Sequence, residues 1–505
     1  MSGRRSFLRG GVVLTVGNTA GSVCSFARNI IIARIISVDD FGIASTFALT
    51  ISLIEMASNI ALDRLIIQAP DGEDERLQAT AQFFQVIRGL LGSVVMFAVA
   101  GPVAALFEIP EVTWAFRVLA VVPFLRSLTH LDQFRMHRSM RFAASVWTDT
   151  TPLVVSTALA APLAFWLDDY RVMLWAVLIQ VSLYVLVSHI VAERKYAWAW
   201  DRALIARMLG FGWPLLINAL LMFGIFQGDR AIVGASISME ALGLYSGAFG
   251  LLMMPSLIAS RVLQSLLLPM LSAAADNAPK FNELSAFAIQ LSTLAGIGFA
   301  AGTVWCGDNL LVVFYGEKYA PAASVVPWLA CMQGMRIARA GQSIAAIAKA
   351  DTRNPMYANI VRTIAIPLAI IGVACGAGVE WVAASGLIGE ALAAVWSQRL
   401  LSRRIGLPSM PVIPAGCAAA AFGVVCFLVA REFAGVGSAR PLDFVWGTLA
   451  GIASVSIQIG FSSSLRRHLS DRVSEGPGVI APRRPVDQPV REPEVGQEAT
   501  DMQER

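Results

Sequence analysis

The sequence predicts an all-α polytopic membrane protein of about fourteen transmembrane helices, and three observations lead there. Of 505 residues, 56% are hydrophobic and only 15% are charged, whereas soluble domains carry roughly 25% charged residues. Mean hydropathy is +0.64, which excludes a soluble multidomain enzyme. Apolar stretches recur along most of the chain, each near the roughly 20 residues that cross a bilayer as a helix.

Taken in order, the first six stretches lie near 10–34, 41–67, 80–105, 113–131, 146–167 and 171–192. A second six follow near 205–235, 241–271, 285–313, 322–348, 356–377 and 380–398, and a final pair near 411–430 and 443–463. The expected organisation is an N-lobe over 1–200, a C-lobe over 201–405, an extra helix pair over 406–465 and a cytoplasmic tail over 466–505. That tail is rich in Pro, Arg and Glu and has too few apolar residues to pack, so it reads as disordered.

Sidedness follows from the excess of Lys and Arg in cytoplasmic loops. With the N-terminus inside, the inside segments carry Arg4, Arg5 and Arg9, then Arg135, Arg138 and Arg141, then Arg194, Lys195, Arg202 and Arg207. Lys349, Arg353, Arg399, Arg403, Arg404, Arg466 and Arg467 continue the pattern, and both termini are expected in the cytoplasm. The loop Asp71-Gly-Glu-Asp-Glu-Arg76 runs against it. The opening Gly3-Arg-Arg-Ser-Phe-Leu-Arg9 superficially matches a twin-arginine export signal, but no small-residue cleavage site follows, and it reads as an anchor for the first helix. Cys24, Cys306, Cys331, Cys375, Cys417 and Cys426 form no CxxC and read as buried small hydrophobes without disulfide or metal roles.

An internal repeat joins the first and seventh spans. Gly10-Gly11 recurs as Gly210-Phe-Gly212, and Ser37-Val-Asp-Asp-Phe-Gly42 recurs as Ser238-Met-Glu-Ala-Leu-Gly243 at an offset of 201. Six spans fit into that offset, so the two copies point the same way through the membrane. Parallel six-helix halves are a common transporter plan, with the substrate path between them.

Charges inside spans are the candidate site. An arginine at mid-membrane costs about 2.5–3.5 kcal/mol on insertion scales, so it faces a cavity or a partner. The candidates for an anion-binding cavity are Arg28, Arg34, Arg230, Arg261, Arg336 and Arg339, with Arg64 and Arg88 as further intramembrane arginines. Glu55 and Asp229 are candidate coupling-ion groups, and Asp63 and Glu390 are further acidic residues in spans. Arg34, Arg64 and Arg261 have the alternative of snorkelling to an interface. The basic excess implies an anionic substrate, and the guanidinium fork suits diphosphate. No GxxxxGK[ST], HExxH or GxSxG occurs, His130, His137, His189 and His468 are scattered, and no cofactor is expected. The charge balance, +4 overall, gives no reason to expect nucleic acid.

The segment Phe26-Ala-Arg-Asn-Ile-Ile-Ile-Ala-Arg-Ile-Ile36, followed by Asp40-Phe-Gly42, resembles the opening of the polysaccharide transport family of bacterial flippases. These Wzx-type proteins serve O-antigen and exopolysaccharide synthesis. They belong to the superfamily of multidrug, oligosaccharidyl-lipid and polysaccharide exporters. The resemblance implies two lobes enclosing a cavity that alternates between the membrane faces, with Arg28 and Arg34 in it and the last helix pair forming a groove for a lipid tail. It implies a multi-pass protein of the bacterial inner membrane that turns undecaprenyl-diphosphate-linked oligosaccharide from the inner to the outer leaflet, with polysaccharide polymerase or export machinery as further partners. In the second half the counterpart of Arg28 is Asp229, with Arg230 one place later, which shifts the cationic pattern by about 100° around the helix. A cation-coupled multidrug exporter of the same superfamily is the alternative, favoured by an acidic cavity. A scaffold for a polysaccharide synthase is the third reading, favoured if the arginines prove dispensable.

Overall fold

The computed structural model describes residues 2–58 and 60–406, and among them the chain is helical throughout, with no strand. The expected spans at 411–463 and the tail at 466–505 lie outside the described residues. The first half comprises α1 (Ser2–Ile35), α2 (Val38–Ser58), α3 (Leu62–Gln68), α4 (Glu75–Leu106), α5 (Thr113–Leu119), α6 (Val121–Ser127), α7 (Asp132–Arg138), α8 (Ala143–Leu167) and α9 (Arg171–Ile190). The second comprises α10 (Arg202–Ser236), α11 (Met239–Ala273), α12 (Ala278–Tyr315), α13 (Val326–Ala348), α14 (Arg353–Arg362), α15 (Ala365–Ala374) and α16 (Val379–Ile405). Among the described residues, nine helical segments are long and apolar enough to cross a membrane, or ten if the bent pair over 110–138 is one span.

Polar caps set where the long helices begin. The Ser37 hydroxyl accepts from the Asp40 amide at 3.0 Å, and the Ser238 hydroxyl accepts from the Ala241 amide at 3.0 Å. These caps satisfy amides that have no partner inside the helix. Both turns fall at the 201-residue offset of the repeat. Asp74, Asp201 and Asn277 cap α4, α10 and α12 in the same manner.

Three stretches read as continuous spans are broken. The stretch at 41–67 divides into α2 and α3 at Ala61, which adopts a left-handed conformation with φ 52°. The stretch at 113–131 divides into α5 and α6, and α7 then departs at 47°. The eleventh divides at Thr363 and Ile364, between α14 and α15. Hydropathy runs through such breaks unchanged, because neighbouring helices and side chains take up the freed backbone groups. The Arg88 guanidinium, for instance, donates to the Ser58 carbonyl at 2.9 Å, at the end of α2.

The repeat is visible as a close crossing of α2 with α11. A Cβ placed on Gly42 would lie 1.9 Å from the Met239 carbonyl oxygen, and one on Gly243 would lie 2.1 Å from the Val38 carbonyl oxygen. Met239 and Gly243 are Val38 and Gly42 displaced by 201 residues, so the two contacts are one contact seen from either side of a local twofold axis. Backbone approach this close is available only to glycine.

At the end of the bundle carrying Ser37, two cations exchange helix termini. Arg34 donates from α1 to the Val313 and Phe314 carbonyls at 2.6 and 3.3 Å, near the end of α12. Lys318, just past α12, donates back to the Arg34 carbonyl at 3.1 Å and to the Ile36 carbonyl. Cations are favourable at helix C-termini, where the last carbonyls lack partners. Phe41 and Tyr319 meet edge-on beside them, 6.3 Å between centroids. Those contacts tie the two halves together at this end. Replacing both Arg34 and Lys318 with alanine is therefore expected to lengthen the distance between spin labels at Glu111 and Glu380, which flank this end in the two halves. An unchanged distance distribution would show that the cations do not hold it shut.

The opposite end is a mesh of ion pairs. Arg207 of α10 makes bidentate contacts of 2.7 and 2.8 Å with Asp71, and Arg76 pairs with Asp201 at 3.1 Å. The Arg207 hydrogen bonds hold the Asp71 carboxyl below the usual carboxylate range. The acidic loop that ran against the charge trend thus lies among arginines, including Arg135 and Arg194 near Glu73 at 3.7 and 3.8 Å. One expectation needs correction. Cys24, Cys306 and Cys331 are only half-buried and Cys375 is exposed, although all four are free thiols. Cys375 sits where α15 ends, beside Gly376 with φ 87°.

Candidate functional site

In each half a cavity lies among the same set of spans, the first, fourth, fifth and sixth of that half. In the second half the centre is Glu390 of α16, which is fully buried. Three arginines converge on it. Arg336 Nε lies 2.9 Å from Oε1, Arg362 Nε 2.9 Å from Oε1, and Arg339 Nε 3.3 Å from Oε2. Each arginine is at least nine-tenths buried. One carboxylate against three guanidiniums leaves a net charge of +2 in the interior.

The sequence builds this cluster simply. Arg336 and Arg339 are three residues apart on α13, so they share a face. That face is turned toward α16 because the opposite side of α13 packs on α12 through glycine: Gly296 and Gly334 would each place a Cβ within 2.5 Å of the other's carbonyl oxygen. Arg362 ends α14 at the break before α15. The Phe226 ring of α10 lies against both cations, with centroid distances of 5.0 Å to Arg336 and 5.2 Å to Arg362. Such contacts stabilise a desolvated guanidinium by about 2 kcal/mol or more.

A cavity of about 30 Å³ touches Arg336, Arg362 and Asp229, room for a water or two. Asp229 accepts from the Tyr245 hydroxyl at 2.9 Å. Arg230 lies over the Phe249 ring at 4.7 Å and donates to the Phe226 carbonyl at 3.2 Å. Arg336 Nη1 and Arg230 Nε are buried without a hydrogen-bond partner. Buried donors left unsatisfied cost stability, and of these two residues Arg336 lines the cavity.

In the first half the cavity is larger, about 410 Å³, and α1, α6, α8 and α9 line it together with Met254 from the other half. Arg126 reaches in from α6 and pairs with Glu55 at 2.8 and 3.0 Å. Asp149 of α8 and Tyr184 of α9 share a hydrogen bond. Arg28 lies behind the wall, donating to the Ser156 hydroxyl at 3.2 Å and to the amide oxygen of Gln180, which lines the cavity.

The structure therefore brings Arg336, Arg339, Arg230 and Asp229 to one region and places Arg28 and Glu55 around another. Arg34 reaches neither cavity, because its donors are spent on the end of α12. Arg261 is exposed on α11 and lines neither cavity. Two arginines that complete the picture, Arg126 and Arg362, were not among the sequence candidates. The available signal was the same one that marked the others, a lone arginine in an apolar run: Val121-Val-Pro-Phe-Leu-Arg126 and Asn359-Ile-Val-Arg362.

Comparison with known proteins gives a consistent picture. A family model described as polysaccharide biosynthesis protein matches residues 31–324. The teichuronic acid biosynthesis protein TuaB of Bacillus subtilis (strain 168) is 20% identical over 274 residues, 54% of this chain and 56% of that protein, so the chain spans little more than half of it. An uncharacterized membrane protein in the cps region of Klebsiella pneumoniae is 20% identical over 349 residues, covering 68% of this chain and 71% of that one. Among solved structures, the lipid II flippase MurJ in an inward closed conformation superposes with a TM-score of 0.67 at 14% identity, over 91% of this chain and 100% of that one. An inward-facing multidrug resistance transporter of the MATE family and MOP superfamily gives 0.64 at 14% identity, over 77% and 96%. At these identities the structural likeness establishes the fold alone.

Proposed function

The chain belongs to the polysaccharide biosynthesis protein family, and from that premise we propose that it is a flippase for oligosaccharide linked to undecaprenyl diphosphate. It carries this substrate from the inner to the outer leaflet of a bacterial inner membrane by alternating access, for exopolysaccharide or O-antigen synthesis. It performs no covalent chemistry. The observation that carries the reading is the buried excess of guanidinium around Glu390, with a net charge of +2 and a donor without a partner on Arg336, which lines the cavity. A cluster of that sign attracts a diphosphate and repels a cationic drug. Outward movement of an anion is also favoured by an inside-negative potential, by about 2.3 kcal/mol per charge for each 100 mV.

On this reading the arginine-rich end near Arg135, Arg194 and Arg207 faces the cytoplasm, following the positive-inside rule. The end closed by Arg34 and Lys318 then faces outward, and the structure represents a state shut on the outer side. Arg230, Arg336 and Arg339, joined by Arg362, are assigned to the diphosphate. Arg34 is assigned to the outer closure, and Arg261, exposed within α11, to neither cavity. Undecaprenyl lipid, the bilayer and a polymerase or export machine are the expected partners.

The test is made in cells. Depletion of the protein is expected to remove the surface polymer and to accumulate lipid-linked sugar on the cytoplasmic leaflet. Complementation with Arg230→Ala combined with Arg336→Gln, which leaves Arg339 and Arg362 to pair with Glu390, is expected to restore less than a tenth of the polymer at normal protein levels. Unchanged polymer and lipid-linked pools with raised drug sensitivity would contradict the flippase and support the cation-coupled exporter.

A further inference from the structure

Resting on the flippase reading, we propose that the first-half cavity is a separate subsite for the uncharged, hydroxyl-rich glycan of the substrate, while the Glu390 cluster takes the diphosphate. The two cavities occupy equivalent places in the repeat, between the first, fourth, fifth and sixth spans of their halves. Their chemistry differs. Around Glu390, three arginines face one carboxylate. The first-half cavity is lined by one charge of each sign, Arg126 and Asp149. Arg126 is paired directly with Glu55, and Arg88 lies within the field of Glu55, Asp63 and Arg126. Where the fifth span of the second half carries Arg362, that of the first half carries Asp149, so an anion finds no net attraction there.

What this cavity offers instead is alternating donors and acceptors. The Gln180 amide, the Asp149 carboxylate, the Arg126 guanidinium and the hydroxyls of Ser22 and Ser25 line it, beside the Tyr184 ring. Sugar hydroxyls both donate and accept, and their C–H faces pack on aromatic rings, so a mixed polar wall with one ring recognises glycan better than phosphate. The volume, about 410 Å³, falls within the roughly 300–1,000 Å³ typical of small-molecule pockets. The partner cavity, at about 30 Å³ in this state, has room for a water or two, so it takes a diphosphate only when the helices around Glu390 part, and it accommodates no sugar ring. Met254 of α11 forms part of the larger cavity's wall, so the cavity borders the other half, which holds the Glu390 cluster.

Binding to the full-length protein in nanodiscs separates the two subsites. The probes are the repeat-unit oligosaccharide released by mild acid from the cell's own surface polymer, and a short-chain prenyl diphosphate without sugar. Asp149→Asn combined with Tyr184→Phe, and separately Leu153→Trp, which fills the cavity, are expected to weaken the oligosaccharide at least tenfold and to leave the prenyl diphosphate within twofold. Retained prenyl diphosphate binding also shows that the variants are folded. If the variants bind the oligosaccharide as the unaltered protein does, or lose both probes together, the subsite is wrong while the flippase reading stands. If the unaltered protein binds neither probe, the flippase reading fails and the subsite with it.

Discussion

Replacing Glu390 with alanine is expected to cost about 3–5 kcal/mol of stability, the range measured when one partner of a buried ion pair is removed. Three guanidiniums, each at least nine-tenths buried, would lose their shared counter-charge, and their mutual repulsion would act in a medium of low dielectric. The helices that carry them, α13 and α14, and α16, which carries Glu390, line the second-half cavity together with α10 and α15. The expected readout is a marked fall in the melting temperature of the detergent-solubilised protein, or loss of monodisperse protein altogether. Partial recovery is expected when Arg339→Met is added to Glu390→Gln, since one fewer cation is then left without a partner. A Glu390→Ala variant as stable as the unaltered protein would show that these groups are not held together by charge.

The second large effect is steric. Gly42→Ala and Gly243→Ala are each expected to destabilise the α2–α11 crossing by about 3 kcal/mol, the upper part of the range for overpacking. Their added methyls meet carbonyl oxygens at 1.9 and 2.1 Å, and backbone cannot move aside as a flexible side chain can. Because the two contacts are related by the repeat, the two variants should behave alike. Gly302→Ala is the control, since nothing lies within 4 Å of its added methyl. The measurement is thermal stability together with the conformational distribution reported by spin labels in the two halves. Equal tolerance of all three substitutions would mean that the halves do not meet at these glycines.

Much of this architecture was legible in the sequence because the membrane imposes it. An apolar run long enough to cross must be a helix, and a lone charge inside it must be satisfied, so Arg336 and Arg339 identified the face of α13 that carries the cluster. The 201-residue offset between Ser37 and Ser238 marked the two segments whose caps and glycines the structure shows to be equivalent. Other features were hidden for physical reasons. Breaks at Ala61 and at Thr363 leave hydropathy unchanged, so the bend that delivers Arg362 to Glu390 has no signature in composition. Arg34 and Arg28 look equivalent along α1, yet one reaches the carbonyls of α12 and the other Ser156 and Gln180. That difference depends on which helices lie beside each turn of α1, and spacing within one helix does not encode it. The charge balance of the first-half cavity was likewise out of reach, since Glu55, Arg126 and Asp149 come from three different helices.

The central claim, that the cationic interior moves a diphosphate-linked glycan across the membrane, is tested most directly by reconstitution. Purified protein in proteoliposomes would be supplied with undecaprenyl-diphosphate-linked oligosaccharide, and transfer between leaflets read by the fraction open to an added glycosidase. The expected result is transfer at least tenfold faster than in protein-free vesicles, lost in the Arg230→Ala, Arg336→Gln variant. Transfer no faster than the lipid background, in vesicles that nonetheless expel a cationic dye, would contradict it.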